Sequence, residues 1–213
     1  MKTDDLIDML ASGPDVRMNA PRTGPDLLRL LAGLGASVLL MLATLGMRAH
    51  LWQAFATPAF WIKFVFALAL AAGAGLAARR LAVPGASLRH APLFVGLPLL
   101  AIWLLAAIVL WQAAPDERAA LLWGRTWRVC APLIAMISLP VFGAALLVMR
   151  RRAPTRLRLA GGVAGLAAGA AGAVVYCLHC PETSPVFVGV WYVLGMSVPA
   201  AIGALVGPRV LAW

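Results

Sequence analysis

The chain's three cysteines are the residues best suited to chemistry. Cys177 and Cys180 form a C-x-x-C pair with His179 between them, and Cys130 lies further upstream. A C-x-x-C pair can form an exchangeable disulfide, and thiolates together with an imidazole can bind a soft metal ion. We therefore predict a sensor built from Cys130, Cys177 and Cys180, or a metal site that adds His179 to these thiols. The alternative is that the thiols are inert residues of a helix rich in small side chains.

Sequence patterns that signal the common kinds of catalysis or transport are missing. There is no H-E-x-x-H, no G-x-S-x-G and no glycine-rich phosphate loop, so we expect no enzyme of those classes. Lys63 is the one charge well inside a predicted span, and we expect it to reach the membrane interface beside Trp61. Because the spans lack the carboxylates and histidines of an ion pathway, a secondary transporter or a heavy-metal transporter is disfavoured.

The composition identifies the elements that must position these residues. Of 213 residues, 62% are hydrophobic and 12% are charged, with a mean hydropathy of +0.89, whereas a soluble domain carries about 25% charged residues. A soluble globular protein and a disordered chain are both excluded, since disorder requires low hydrophobicity. The sequence predicts an all-α polytopic membrane protein, with a short cytoplasmic tail (1–26) and a domain of six transmembrane helices (27–213). The predicted spans cover about residues 27–47, 58–78, 91–113, 128–149, 159–178 and 185–206.

The basic residues predict the orientation of the spans. A net charge of +10 would suggest nucleic acid in a soluble protein, but 13 of the 18 Lys and Arg residues fall on one face of the predicted membrane domain. By the positive-inside rule, that face and both termini are cytoplasmic in a bacterial inner membrane, and no direct nucleic-acid contact is expected. The opposite face holds Arg48, Lys63, Arg118, Arg125 and Arg128, and six of the eight tryptophans as a predicted interfacial belt: Trp52, Trp61, Trp111, Trp123, Trp127 and Trp191.

Small residues predict where helices approach each other closely. Gly161, Gly165 and Gly169 recur every fourth position in the fifth predicted span, and Ala173 continues the pattern. Such a face lets a neighbouring backbone come close in lipid. It fits a central helix of the bundle, and it equally fits the seam of a homodimer.

The N-terminal tail predicts a binding segment. From Thr3 onward, Asp4 and Asp5 fall in the first turn of a short helix, and apolar residues share one face until Gly13 and Pro14 end it. A helix this short is marginal alone in water, so we expect it to fold against a partner. The alternative is a solvated leader that frays. The predicted partner-binding residues are Asp4, Asp5, Leu6, Ile7, Asp8 and Leu10.

Several motifs together resemble those of a known family. They are the opening M-K-T-D-D-L-I-D, W-x-x-C at Trp127–Cys130 with S-L-P at Ser138–Pro140, and L-H-C-P-E at Leu178–Glu182 with Ser184-Pro185 and Trp191-Tyr192. The whole chain resembles the NrsF-type negative regulators of extracytoplasmic-function sigma factors.

The resemblance implies a membrane-bound anti-sigma factor without catalytic activity or resident cofactor. Its partners would be an extracytoplasmic-function sigma factor on the cytoplasmic side and the membrane lipids, and it would release the sigma factor under heavy-metal or oxidative stress. The family's paired cysteines, which lie at the outer rim and face outward, match Cys130 and Cys180, whereas Cys177 has no clear counterpart. The alternative function is a membrane thiol oxidoreductase that passes electrons from Cys177 and Cys180 to a quinone.

We predict that the loops around Arg80 and Arg151 are cytoplasmic, and that Trp123 and Glu182 face outward, because of the asymmetry in basic residues. Reporter fusions that are active only in the periplasm should give signal after spans one, three and five. A periplasmic signal from a fusion at Arg151 would contradict this topology.

Overall fold

The described part of the protein is a bundle of helices. The computed structural model describes residues 3–11, 23–48, 50–83 and 91–212, and this part of the chain contains helices and no β-strand. The helices long and apolar enough to cross a membrane number six among these residues. They are α2 (Thr23–Thr44), α4 (Pro58–Leu81), α5 (Ala91–Gln112), α7 (Trp127–Arg150), α8 (Leu157–Tyr176) and a last span, Pro185–Val210. The predicted polytopic class and its six spans are confirmed, with ends that differ by a few residues.

In the described part of the chain, three short helices lie outside the spans. The tail forms α1 (Thr3–Ala11), as predicted, whereas α3 (Leu51–Phe55) and α6 (Glu117–Trp123) were not predicted. The last span has three parts: α9 (Pro185–Phe187), a π-helical turn (Val188–Tyr192) and α10 (Val193–Val210).

Because the spans alternate in direction, the bundle has two distinct ends. Residues 50–57, 113–126 and 177–184 connect spans at the end that we call the cysteine end. The opposite end, which we call the arginine end, holds Arg79, Arg80, Arg150, Arg152 and Arg209.

Helix α8 is the centre of the bundle, and its glycines set the closest contacts. An added Cβ at Gly161 would overlap the backbone of Gly203, and one at Gly165 would overlap the carbonyl of Pro199. Another face of α8 meets α7, where a Cβ on Gly172 would lie 2.9 Å from that of Ser138. The predicted central position is confirmed. The small-residue stripe packs against α10 of the same chain, so that face is not available as a homodimer seam.

Helices α2 and α5 lie at the periphery of the bundle and present large apolar side chains outward. Leu97 and Leu104 on α5 are 70% and 64% exposed, and Leu39 on α2 is 67% exposed. Such a surface would be unstable in water, but it suits lipid, where apolar side chains cost nothing to expose. Contacts to α7 hold α2 in place, and α4 holds α5.

An ion pair ties the start of the first span to the connection between α7 and α8. Asp26 Oδ2 accepts hydrogen bonds from Nε and NH2 of Arg152 at 3.0 and 2.6 Å, and its Oδ1 accepts from Arg29 at 3.0 Å. All three side chains are partly buried, which strengthens a pair beyond the value of an exposed one. Asp26 therefore belongs to the first turn of α2 rather than to the tail, and Arg152 has a specific partner besides its predicted topological role.

We expect Gly165→Ala to lower the melting temperature of the purified protein, because the new Cβ would force α8 and α10 apart. Overpacking of this kind costs about 1–3 kcal/mol. The matched control is Gly35→Ala on α2, where a Cβ meets open space and alanine should stabilise the helix by up to ~1 kcal/mol. Thermal unfolding in detergent micelles measures both. Equal melting temperatures for the two variants would contradict the close α8–α10 contact.

Candidate functional site

The cysteine end brings together the three predicted sensor residues. Helix α7 begins at Trp127 and the neighbouring antiparallel helix α8 ends at Tyr176, so Cys130 in the first turn of α7 lies level with the residues that follow α8. A side-chain hydrogen bond joins Cys130 to Cys180, and Cys177 contacts the side chain of Tyr192. All three cysteines are reduced. The direct thiol contact is thus between Cys130 and Cys180, across two helices, rather than within the C-x-x-C pair.

These thiols are buried, whereas their predicted position at the outer rim suggested that they would be exposed. Cys130 and Cys180 have no exposed surface, and Cys177 is 1% exposed. The segment that follows α8 is bonded to α6 and to the residue Arg125 beyond it. Glu182 Oε1 accepts a hydrogen bond from the Arg125 N–H at 2.8 Å, and Ser184 Oγ donates to the carbonyl of Leu121 at 3.1 Å.

Lys63 lies beneath this segment, and its side chain does not reach the membrane interface. Its side chain has no exposed surface, and its Nζ donates to the carbonyls of Cys180 and Glu182 at 2.7 and 2.9 Å. The predicted snorkelling of Lys63 beside Trp61 was wrong. The carbonyls that follow α8 offer acceptors inside the bundle, and the C-terminal end of a helix favours a positive charge.

The thiols that follow α8 differ in their readiness to ionise. The hydrogen bond from Cys130 lowers the pKa of Cys180 below that of an ordinary thiol, and the charge of Lys63 acts in the same direction against burial. Burial raises the pKa of Cys177 to about 12. The thiolate is the reactive form of a cysteine, and Cys180 ionises more readily than Cys177.

The predicted metal set of Cys130, Cys177, His179 and Cys180 is not assembled in this structure. The Nδ1 atom of His179 lies 3.0 Å from the carbonyl oxygen of Gly46, and its ring lies 5.8 Å from that of Tyr176. Within the described ranges, no three Cys, His, Asp or Glu side chains are arranged to hold a metal ion. His179 is turned to the backbone that follows α2, which removes the imidazole from the thiols.

Three tryptophans meet at the cysteine end. The rings of Trp123, Trp127 and Trp191 contact one another with centroids 4.8–5.6 Å apart, and Trp191 donates to the carbonyl of Leu122 at 2.9 Å. Trp127 and Trp191 also pack against the hydrophobic core that contains the cysteines, so they do more than form an interfacial belt. The belt prediction suits Trp52 and Trp111 at the same end, which are 84% and 87% exposed.

Sequence reasoning missed the two buried tyrosines that flank the thiols. Tyr176 and Tyr192 have ring centroids 5.8 Å apart, and the buried hydroxyl of Tyr192 has no hydrogen-bond partner of good geometry among the described residues. Tyr192 lies in the π-helical turn, a local feature that is frequent at functional sites. The one signal that could have found more of the site was Lys63, because a charge inside a span is by default a functional candidate.

The tail helix α1 presents its described side chains to the surroundings. Ile7 is 57% exposed, and Asp4, Asp5 and Asp8 are exposed. The side chains of Leu6 and Leu10 lie outside the described part of the structure, as do Gly13 and Pro14. The helix itself is confirmed, and its role in binding stays a prediction.

Comparison with known proteins identifies the family. The family described as "Negative regulator of sigma F", NrsF, matches residues 14–213. The chain belongs to this family. It is 50% identical over 215 residues to the probable anti-sigma-F factor NrsF of Azospira oryzae, with all of both chains covered. It is 39% identical over 227 residues to the anti-sigma-F factor NrsF of Caulobacter vibrioides, again over both full lengths. No solved structure matches the chain.

Proposed function

We propose that this protein is a membrane-bound anti-sigma factor of the bacterial inner membrane. It would hold an extracytoplasmic-function sigma factor inactive at the cytoplasmic face and release it under heavy-metal or oxidative stress. The family and the full-length similarity to two anti-sigma-F factors support the regulatory role. The observation that carries the sensing role is the buried contact between Cys130 and Cys180.

The proposed orientation puts the arginine end and both termini in the cytoplasm. The sequence predicts 13 of the 18 basic residues on that face, which favours contact with the anionic inner leaflet. The cysteine cluster then lies at the periplasmic rim, in an oxidising compartment. In this orientation α1 has the sigma factor on its side of the membrane.

The proposed binding element is α1. Its exposed Ile7 and its row of aspartates suit an amphipathic helix that lays an apolar stripe in a groove between basic residues. A short helix of this kind gains most of its stability from the partner, so binding and folding of the tail would be coupled. Leu6, Ile7 and Leu10 would be the apolar anchors.

The proposed switch is a change at the Cys130–Cys180 pair. A hydroperoxide would take two electrons from the thiols: the Cys180 thiolate is oxidised to a sulfenic acid and the peroxide is reduced to an alcohol or water. The Cys130 thiol then displaces water from the sulfenic acid to form the disulfide. A soft metal ion bound by the two thiolates is the other trigger, and its binding would release the proton of Cys130.

The two ends of α7 connect this switch to the tail. Cys130 lies in its first turn, the helix continues unbroken to Arg150, and Arg152 pairs with Asp26 at the start of α2. The first span carries the tail, so a shift of α7 would reach the root of the binding segment. The two positions of α7 must differ in affinity for the sigma factor, because a change without differential binding shifts nothing.

A membrane thiol oxidoreductase that reduces quinone is the second candidate. The ionisable Cys180 suits such an enzyme, but its thiol is buried under the segment that α6 holds in place. The two functions differ in what can be measured: the regulator binds a sigma factor stoichiometrically, whereas the enzyme oxidises a dithiol substrate with turnover. Steady oxidation of a dithiol by the purified protein with a quinone would favour the enzyme.

We expect a tagged full-length protein, purified from the membranes of its own host, to carry a sigma factor, and we expect Leu6→Ala with Leu10→Ala to remove it. Each buried apolar anchor is worth about 1.5–3 kcal/mol, so the double variant should bind at least a hundredfold more weakly. The matched control is Leu97→Ala with Leu104→Ala on the lipid-facing side of α5. Unchanged binding by the tail variant would move the binding site to the cytoplasmic loops.

We expect Cys130→Ser with Cys180→Ser to leave repression intact and to abolish induction by the stress, because neither a disulfide nor a dithiolate can then form. A reporter gene under sigma-factor control measures both, with immunoblots to compare protein levels. Cys177→Ser should have a smaller effect if the pair is the sensor, and an equal effect if three thiols bind a metal. Normal induction of the double variant at wild-type protein level would refute sensing by this pair and leave the anti-sigma role intact.

A further inference from the structure

The buried ammonium of Lys63 is the least expected charge in the bundle. A charged side chain without exposed surface is costly unless it has polar partners. Two of its three donors bond the carbonyls of Cys180 and Glu182, and its Nζ lies 5.8 Å from the ring centroid of Phe60. These bonds join α4 to a segment more than 100 residues later in the chain. Lys63 thus binds the segment that carries Cys180 and does not extend to the membrane interface.

These bonds hold the backbone of Cys180 from two sides. Its N–H donates to the carbonyl of Tyr176 at 3.0 Å, and its carbonyl accepts from Lys63 at 2.7 Å. With both backbone groups held, the side chain of Cys180 is aimed across the bundle at Cys130. Without Lys63, the carbonyls of Cys180 and Glu182 would lose a buried donor, which costs more than an ordinary hydrogen bond contributes.

The charge of Lys63 faces the thiols and not a carboxylate. Glu182 is the nearest acidic residue in sequence to this contact, but its carboxylate accepts from the Arg125 N–H instead. The remaining groups that face the ammonium from the packed elements are the thiols of Cys130, Cys177 and Cys180. The reduced site therefore contains a cation whose available counter-charge is a thiolate.

We propose that Lys63 is a positioning residue of the thiol pair: it aims Cys180 at Cys130 through the backbone, and its charge stabilises the reduced pair over the disulfide. This inference rests on the proposed sensing function and deepens it. When the disulfide forms from one thiolate and one thiol, two electrons and one proton leave the site, and the ammonium loses the negative charge of the thiolate. A reduced form stabilised in this way makes a disulfide easier to reduce. Lys63 therefore favours the return of the switch to its repressing state.

The test measures the dithiol–disulfide equilibrium of the purified full-length protein in lipid nanodiscs. Samples are equilibrated in buffers of reduced and oxidised glutathione, and the Cys130–Cys180 disulfide is quantified by mass spectrometry after thiol blocking. Lys63→Met removes charge and donors, Lys63→Gln keeps donors without charge, and Lys63→Arg keeps both. Ile62→Met, a neighbouring exposed position on α4, is the control.

We expect Lys63→Met and Lys63→Gln to shift this equilibrium at least tenfold toward the disulfide, which corresponds to a potential about 30 mV more negative. Lys63→Arg should stay within threefold of the wild type, and Ile62→Met should match it. If Lys63→Met does not fold, Lys63→Gln gives the same readout. A purely structural role predicts a lower melting temperature with an unshifted equilibrium.

The outcomes separate this inference from the function on which it rests. A wild-type equilibrium in folded Lys63→Gln would overturn the role of the charge, while the cysteine switch would stand. A wild-type protein that forms no Cys130–Cys180 disulfide at any glutathione ratio would overturn both the disulfide switch and the role of Lys63. Sigma factor co-purified with that same protein would show that the anti-sigma role survives both failures.

Discussion

The contact of α8 with α10 is the constraint on which the rest of the bundle depends. In lipid the hydrophobic effect does not drive helices together, so association relies on close packing and on polar contacts. Glycines at 161, 165 and 203 let the two backbones touch, which gives α8 a fixed central position. The ends of α8 are then fixed as well. The segment that follows Tyr176 therefore starts from a fixed position, and it carries Cys177 and Cys180 to the cluster of thiols.

The cysteine site is a consequence of how α7 and α4 pack on this central helix. Gly172 on α8 lies against Ser138 on α7, and this register sets Cys130 level with Cys180. Helix α4 brings Lys63 to the same level from the other side. Two carbonyls of the segment that follows α8, those of Cys180 and Glu182, thus become the acceptors that make a buried ammonium tolerable. The glycine contact between α8 and α10 thus fixes the helix on which α7 and α4 assemble the polar site.

The spans could be predicted from the sequence because the thickness of the bilayer dictates their length. Runs of apolar residues bounded by charge or proline can be read one segment at a time, so the ends of α4 or α7 needed no knowledge of neighbours. The site could not be read in this way. The C-x-x-C motif pointed to Cys177 with Cys180, because sequence spacing reports only local proximity. The contact of Cys180 with Cys130 depends on the pairing of two helices, and only the family resemblance implied it.

The position of Lys63 could not be predicted from local sequence either, and here the reason is energetic. The rule that a lysine near a span end reaches the interface compares water with lipid as the two environments. It omits a third environment, the protein's own unpaired carbonyls, and these come from residues more than 100 positions away. The prediction of exposed thiols was wrong for the same reason, because the segment that carries Cys177 and Cys180 is bonded to Arg125 and Leu121, which lie more than 50 residues away in the sequence. In both cases, the burial of the side chain depends on residues that are distant in the sequence.

The packing also restricts which elements can carry a signal through the membrane. The α8–α10 interface has backbone against backbone, so a small shift there would open a gap or create an overlap along its whole length. Helix α7 meets α2 closely where a Cβ on Gly33 would lie 2.9 Å from that of Ala144, and the Asp26–Arg152 pair lies beyond this contact. Helix α7 also packs against the core itself, through Gly172 of α8 and Gly195 of the last span. Because α7 has Cys130 in its first turn and ends next to the segment that holds Arg152, a movement of α7 would change the relation of Cys130 to Cys180 and that of Arg152 to Asp26 at once.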